Sequence, residues 1–431
     1  MARGAVAEER FERFLERLGA AAGHADRRGP LRAYLTGLLL PGERKSVEPM
    51  AAKLDPRRVR ARHQSMHHFV AEAPWEDREL LRVARDHALE QLERHAPVFA
   101  WIVDDTGMPK KGRHSVGVAR QYCGVLGKQE NCQVAVTVSL ANDVMSVPAA
   151  YRLYLPEAWA KDRQRRKAAH VPTSVRFRTK WQIALDEIDV LLGDGLPRAP
   201  VASDAGYGVV TEFREGLAER GLSYAVGITG ATTLWPPGME PLRPLPYKGR
   251  GGRRPTLLRR TSEHRPIAAS EIAAGLPPRA WRSVGWREGT RGTMRSRFAM
   301  LRVRAAHRDN WRSEARPTEW LLIEWPDGEP EPTKYWLSNV PETVLIDDLV
   351  RLVKIRWRIE RDYQELKDEL GLDHYEGRGW RGFHHHGTLC IAAYSFLTAE
   401  RARLSPPEPV AFLRSAAVPK SFRPRGAPAS R

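Results

Sequence analysis

The sequence predicts a mixed α/β protein: a sheet flanked by helices, interrupted by a mainly β insertion and preceded by an all-helical region. Three observations carry that expectation. The first hundred residues repeat apolar positions at intervals of three and four with Arg and Glu between them, the period of amphipathic helices. From residue 99 the texture changes to short apolar runs alternating with helix-period segments, the pattern of an α/β core. Between residues 230 and 340 that alternation gives way to frequent Pro and Gly and isolated strand-like runs.

The elements follow in order. Residues 7–40 and 78–96 predict helices, with the charged connector Glu43-Arg44-Lys45-Ser46-Val47-Glu48-Pro49-Met50 between them; its cations face either phosphate or water. The continuous apolar run 99–103 predicts a buried strand that ends at Asp104-Asp105-Thr106-Gly107. The β-branched run 133–140 follows the glycine-bearing stretch 123–127 and predicts further strands of a meander. A helix at 179–192, a short strand at 199–203 ending in Asp204, a helix at 209–220 and a strand at 224–228 continue the alternation. Within the insertion, residues 298–303, 320–325 and 335–337 predict strands. A helix at 346–370 returns the chain to the core, and another covers 389–401. The expected division is a helical region at 1–96, a core in two parts at 97–229 and 341–403, the insertion at 230–340, and a flexible tail at 404–431.

Charge then narrows the partner. The 431 residues hold 70 Lys and Arg against 52 Asp and Glu, a net charge of +18, which asks for a polyanion, nucleic acid first among them. Residues 248–316, which include Arg253 and Arg254, hold 18 of those cations and only 5 acids, so the polyanion is expected there. No run approaches the roughly 18 apolar residues that cross a bilayer. Met1-Ala2-Arg3-Gly4 leads into a charged helix rather than a secretory segment, so a cytoplasmic protein is expected. Cys123, Cys132 and Cys390 are odd in number and lack CxxC spacing, which predicts small core residues rather than disulfides or a cysteine zinc site.

Asp104 and Asp204 each follow an apolar strand, and carboxylates at adjacent strand ends suit hard divalent cations. The competing reading is an Asx turn or helix cap, as Asp204 before Gly206-Tyr207-Gly208 can provide. A third acid comes from the helix at 346–370. At about 100° per residue, Leu352, Ile355, Ile359, Leu366 and Leu370 form one buried stripe, and Arg356, Glu360, Tyr363 and Lys367 form a second at its margin. Glu360 there reaches a metal while Arg356 and Lys367 reach phosphate; alternatively the stripe is an ion-pair ladder worth about 0.3–0.5 kcal/mol a pair. Lys110 and Lys111 meet a DNA backbone or form a solvated hairpin, and Trp235, Trp281 and Trp286 either stack on bases or pack in the core. His384-His385-His386 is expected to cap the last helix.

With those residues in view, the chain resembles the DDE transposases of bacterial insertion sequences, whose RNase H-like core is split by a β-strand insertion. The resemblance rests on Asp104-Asp105-Thr106, on Ser203-Asp204-Ala205-Gly206-Tyr207-Gly208, and on Arg356 through Glu360 to Lys367, which matches the Arg, Glu and Lys of the family's Tyr-x2-Arg-x3-Glu-x6-Lys signature. Val353 stands where that signature has Tyr, and Tyr363 lies on the same helix face as Glu360. Tyr154-Leu155-Pro156-Glu157-Ala158-Trp159, the connector at Arg44 and Gly371-Leu372-Asp373-His374-Tyr375-Glu376-Gly377-Arg378 extend the likeness over most of residues 40–400.

The resemblance implies that Asp104, Asp204 and Glu360 are catalytic and hold two Mg²⁺ ions, with Mn²⁺ as a substitute. The family's Asp-x-Thr pattern selects Asp104 over Asp105. It assigns DNA contacts to Arg356, Lys367, Tyr363, Lys110, Lys111, Arg253 and Arg254, and to the N-terminal helices. The implied partners are double-stranded DNA, at transposon ends and at target, and a second copy of the chain in a homodimer; no membrane is involved, and the location is cytoplasmic, at the nucleoid. An RNase H-like nuclease or resolvase needs no long basic insertion, and a decayed DNA-binding regulator needs no intact acids.

Overall fold

The structure is a computed structural model that describes residues 2–247, 249, 254–289 and 292–404. The expected tail at 404–431 lies almost wholly outside the described residues, as does Arg253.

Five helices open the chain: α1 (Ala2–Ala21), α2 (Arg28–Leu39), α3 (Val47–Leu54), α4 (Val59–Ala71) and α5 (Asp77–His95). In α1, Phe14, Leu15 and Leu18 line one buried face. Helix α5 places Asp77 and Glu79 in its first turn and Arg94 and His95 in its last, matching the helix dipole at both ends. Of the connector's two cations, Arg44 is exposed and Lys45 turns inward. Lys45 is buried and its ammonium donates to the carbonyls of Leu38 and Leu40, closing the C-terminal end of α2, while Arg44 pairs with Glu376.

The first sheet segment is β1 (Ala100–Pro109), β2 (Ala119–Cys123), β3 (Lys128–Ala141) and β4 (Ser146–Leu153). Strand β1 runs six residues past the expected end, because β3 keeps pairing with it from Ala100↔Ala141 to Pro109↔Cys132. Asp104 is therefore a mid-strand residue, opposite Thr137. Next come α6 (Glu157–Lys161), α7 (Arg163–Ala168), α8 (Lys180–Gly193), β5 (Val201–Ser203), α9 (Ala205–Gly208), α10 (Thr211–Glu219) and β6 (Tyr224–Ile228). Thr179 and Gln182 form a capping box that starts α8. Strands β1, β5 and β6 are parallel neighbours, and β3 is antiparallel to β1, giving the order β4-β3-β1-β5-β6 of an RNase H-like sheet with β2 on the free edge of β3.

The segment expected as a separate insertion contains β7 (Thr233–Trp235), β8 (Ile267–Ala268), α11 (Ala269–Ala274), β9 (Arg282–Gly289), β10 (Gly292–Ala305), β11 (Glu319–Trp325) and β12 (Lys334–Ser338). Its strands extend the central sheet instead of forming their own: β12 pairs with β6, and β11, β10 and β7 follow outward. The ladder groups of β6 that would otherwise form an exposed edge are thereby paired.

The chain closes with α12 (Ile346–Lys354), α13 (Trp357–Asp368) and α14 (Trp380–Leu404). The single helix expected at 346–370 is two, because the backbone tightens at Ile355–Arg356, where the Arg358 N–H bonds to Ile355 O three residues back. The predicted apolar stripe of Leu352, Ile355, Ile359, Leu366 and Leu370 is buried throughout. At roughly 1.5–3 kcal/mol per buried side chain, that stripe outweighs any surface ion-pair ladder in seating the helices. Among the described residues, no helix is long and apolar enough to cross a membrane.

Helix α14 begins nine residues before its expected start and carries the histidine triplet inside the core rather than at a cap. His384 Nδ1–H donates to Trp380 O and its Nε2 accepts from the Leu153 N–H; His386 Nε2–H donates to Gly371 O and its Nδ1 accepts from Tyr34 Oη. Each pattern fits a neutral ring. Burial depresses both imidazolium pKa values to about 4. Since an unfolded histidine titrates near 6.5, the unfolded chain binds protons that the folded one refuses between those values, and stability falls as pH drops from about 6.5 toward 4. Thermal unfolding at pH 7 and pH 5 checks this: the midpoint is lower at pH 5, and His386→Gln reduces the difference.

Candidate active site

Parallel pairing places Val103 beside Ser203, so the next residues, Asp104 and Asp204, stand on neighbouring strand paths at one end of the sheet. The pleat of β1 sends Asp104 and Asp105 to opposite faces. Asp105 faces α8, where the Lys180 ammonium lies 2.6 Å from its Oδ2 and neutralises it. Asp104 faces α13, where the Arg356 guanidinium lies 2.5 Å from its Oδ2. The second arm of the same guanidinium lies 2.7 Å from Glu360 Oε1. Arg356 thus ties the carboxylates of Asp104 and Glu360 together.

Asp204 caps the short helix α9, its Oδ1 accepting from the Tyr207 N–H at 3.3 Å. Capping uses one oxygen of the carboxylate and leaves its charge facing Asp104 and Arg356. Two glycines seat that turn against the sheet. A Cβ on Gly208 would lie 1.9 Å from Gly227 O, and one on Gly227 would lie 2.8 Å from Ala205 N. Only the absence of both side chains lets α9 approach β6 closely enough to hold Asp204 at the strand ends.

Electrostatics sets the acids apart. The Asp104 side chain is 18% exposed; burial, helped by the charges of Asp204 and Asp105, raises its carboxyl pKa to about 7 against the pull of Arg356. Glu360, by contrast, is 58% exposed. Lys367 carries an ammonium whose pKa burial lowers, within electrostatic reach of Asp373, Cys123 and Asp104. Among the described residues, no three His, Cys, Asp or Glu side chains already converge as a ligand set, since Arg356 lies between Asp104 and Glu360. The donor chemistry nonetheless suits a hard divalent cation, since Asp104, Asp204 and Glu360 all offer carboxylate oxygens.

Several expected DNA contacts look different in the fold. Tyr363 is 5% exposed and packs in the core beneath Asp104, so the contact expected of it is corrected: the turn from Glu360 to Tyr363 carries the hydroxyl inward. Lys110 spends its ammonium on the carbonyls of Asp373 and Tyr375, tying β1 to the segment after α13. Lys111 and Arg254 are exposed. Trp235 is fully buried against Asp309, and Trp281 and Trp286 pack on Trp325 and Phe298, so all three serve the core.

Sequence reading missed two contributors. Lys180, which removes Asp105 from the acid set, was legible only as the first residue after the Thr179 cap. Tyr207 is buried within electrostatic reach of Asp104, Asp105 and Asp204, with a hydroxyl that has no hydrogen-bond partner among the described residues, and its signal was its place in Ser203-Asp204-Ala205-Gly206-Tyr207-Gly208.

A probable transposase for insertion sequence element IS701 from Microchaete diplosiphon is 36% identical over 166 residues, covering 38% of this chain and 40% of that protein. The model of the DDE superfamily endonucleases matches residues 13–293, a span that holds Asp104 and Asp204 and ends before Glu360. Because that match covers well over half of the sequence, the chain belongs to the DDE superfamily endonucleases.

Proposed function

We propose that this endonuclease is a transposase that cuts DNA at the ends of an insertion sequence and joins them to target DNA, with Asp104, Asp204 and Glu360 as its catalytic acids. The observation that supports the reading is that one guanidinium, Arg356, bonds the carboxylates of both Asp104 and Glu360, with Asp204 within electrostatic reach of the same arginine. These three side chains would hold two divalent ions, Mg²⁺ or Mn²⁺, which supply Lewis-acid activation of a water or 3′-hydroxyl and stabilise the leaving oxygen.

The chain's own residues do the remaining work. Arg356 compensates the charge of Asp104 and Glu360 before substrate arrives, and its forked guanidinium suits a scissile phosphate once those acids have other partners. Lys367 adds a second cation beside the same acids. Lys180 holds Asp105 out of the set, which supports Asp104 as the ligand on β1. The exposed Lys111 and Arg254 and the excess of cations at 248–316, with Arg253 among them, would follow the phosphate backbone of double-stranded DNA, and the N-terminal helices would read the transposon ends. The protein would act as a homodimer on that DNA, in the cytoplasm at the nucleoid.

The test is cleavage of duplex DNA that carries the sequences flanking the chain's own gene. Strand breaks at a defined position appear with Mg²⁺ or Mn²⁺ and disappear when a chelator removes the metal. Metal-independent cutting, or none with any divalent ion, rejects the proposal.

A further inference from the structure

The joint between α12 and α13 delivers Arg356 and Glu360 to the acids, and the insertion grips that joint. Lys354, the last residue of α12, stands two residues before Arg356 and six before Glu360. Its ammonium lies 2.6 and 2.7 Å from the two carboxylate oxygens of Glu324 on β11. Aromatic rings of the same sheet surround it: the ammonium is 4.2 Å from the Trp286 ring of β9, 5.6 Å from Phe298 of β10 and 5.7 Å from Trp336 of β12. Each distance is within reach of a cation–π contact. The pair is deep in the protein, with the Lys354 side chain 13% exposed and that of Glu324 3%. Just past the joint, the Arg287 guanidinium of β9 covers the Trp357 ring at 4.2 Å.

A buried ion pair is a costly way to join a helix to a sheet. Taking both charges out of water cancels much of their attraction, and apolar side chains of like volume hold as well or better. What the pair adds is direction, because the ammonium in its aromatic box has one place to sit. Direction matters here, since the backbone tightens at Ile355–Arg356 and α13 does not inherit its axis from an unbroken ladder. Arg356, at that break, bonds Asp104 and Glu360 together. Resting on the DNA-cleaving function argued above, we propose that Lys354 is a positioning residue for cleavage: paired with Glu324, it holds the α12–α13 joint against the insertion's sheet and so sets where Arg356 and Glu360 stand toward Asp104. The insertion then acts on the chemistry through β11, apart from any contact it makes with DNA.

The test is Lys354→Met/Glu324→Met in the full-length protein, which removes both charges and keeps unbranched side chains in the box. With no charge left unpaired, the variant is expected to melt within a few degrees of the wild type. At saturating duplex and Mg²⁺ its kcat falls by about ten- to a hundredfold, while KM for the duplex stays within about twofold. Before DNA or metal is added, the backbone amides of residues 356–362 exchange hydrogen about tenfold faster than in the wild type, and those of α14 exchange as before. A pair that serves stability alone moves neither readout in a variant of wild-type melting. Unchanged exchange at 356–362 overturns the inference whatever the wild type cuts, as does an unchanged kcat or a double variant that does not fold. A wild type that cuts no duplex, with exchange still faster in the variant, rejects the functional reading and the residue's part in cleavage but not its hold on the joint.

Discussion

Asp204→Asn is expected to abolish Mg²⁺-dependent strand cleavage while leaving DNA binding and thermal stability nearly unchanged. The substitution separates the two roles of this side chain. As the cap of α9 it accepts one backbone N–H through Oδ1, and asparagine caps a helix about as well as aspartate. As a member of the acid set it supplies negative charge beside Asp104, which asparagine removes. Loss of one carboxylate from a site that stabilises a developing charge costs several kcal/mol at the transition state, so the rate falls by about a thousandfold or more. Cleavage by the variant at near wild-type rate would leave Asp204 as a helix cap and nothing else.

Gly208→Ala is expected to be the most damaging methyl group that can be added near the site. Its Cβ would overlap Gly227 O, a backbone atom of β6 that cannot turn aside. Either α9 lifts from the sheet, carrying Asp204 with it, or β6 shifts within a ladder paired on both sides. Overpacking of this kind costs about 3 kcal/mol or more. Both thermal stability and cleavage should fall, unlike Asp204→Asn, which spares stability. Gly193→Ala, at a position where an added Cβ meets nothing within 4 Å, serves as the control and leaves both intact. A Gly208→Ala protein with unchanged melting and activity would show that the α9–β6 approach has slack.

Much of the architecture was legible because local patterning agreed with the final packing. The apolar stripe on α12 and α13, the capped start of α8 and the short buried strand before Asp204 each follow from residue types within a few positions of one another. The departures share a cause of a different kind. β1 runs past its apolar stretch because β3 pairs with it, the histidine triplet goes inward because β4, α2 and the Gly371 carbonyl offer partners, and the insertion joins the sheet because β6 has ladder groups to share. None of those partners is near in sequence.

The site divides along the same line. Sequence alone singled out the candidates for chemistry: two aspartates after strands, a glutamate between an arginine and a lysine on one helix face, and a basic stretch proposed to meet DNA. Tertiary structure alone decided which of two adjacent aspartates meets Arg356 and which meets Lys180, and that Tyr363 turns inward. Residue type and helical or strand period are properties of the chain, but the face on which a side chain finds a charge or a cavity depends on neighbours brought from far along it, 75 residues for Lys180 and Asp105 and 252 for Arg356 and Asp104.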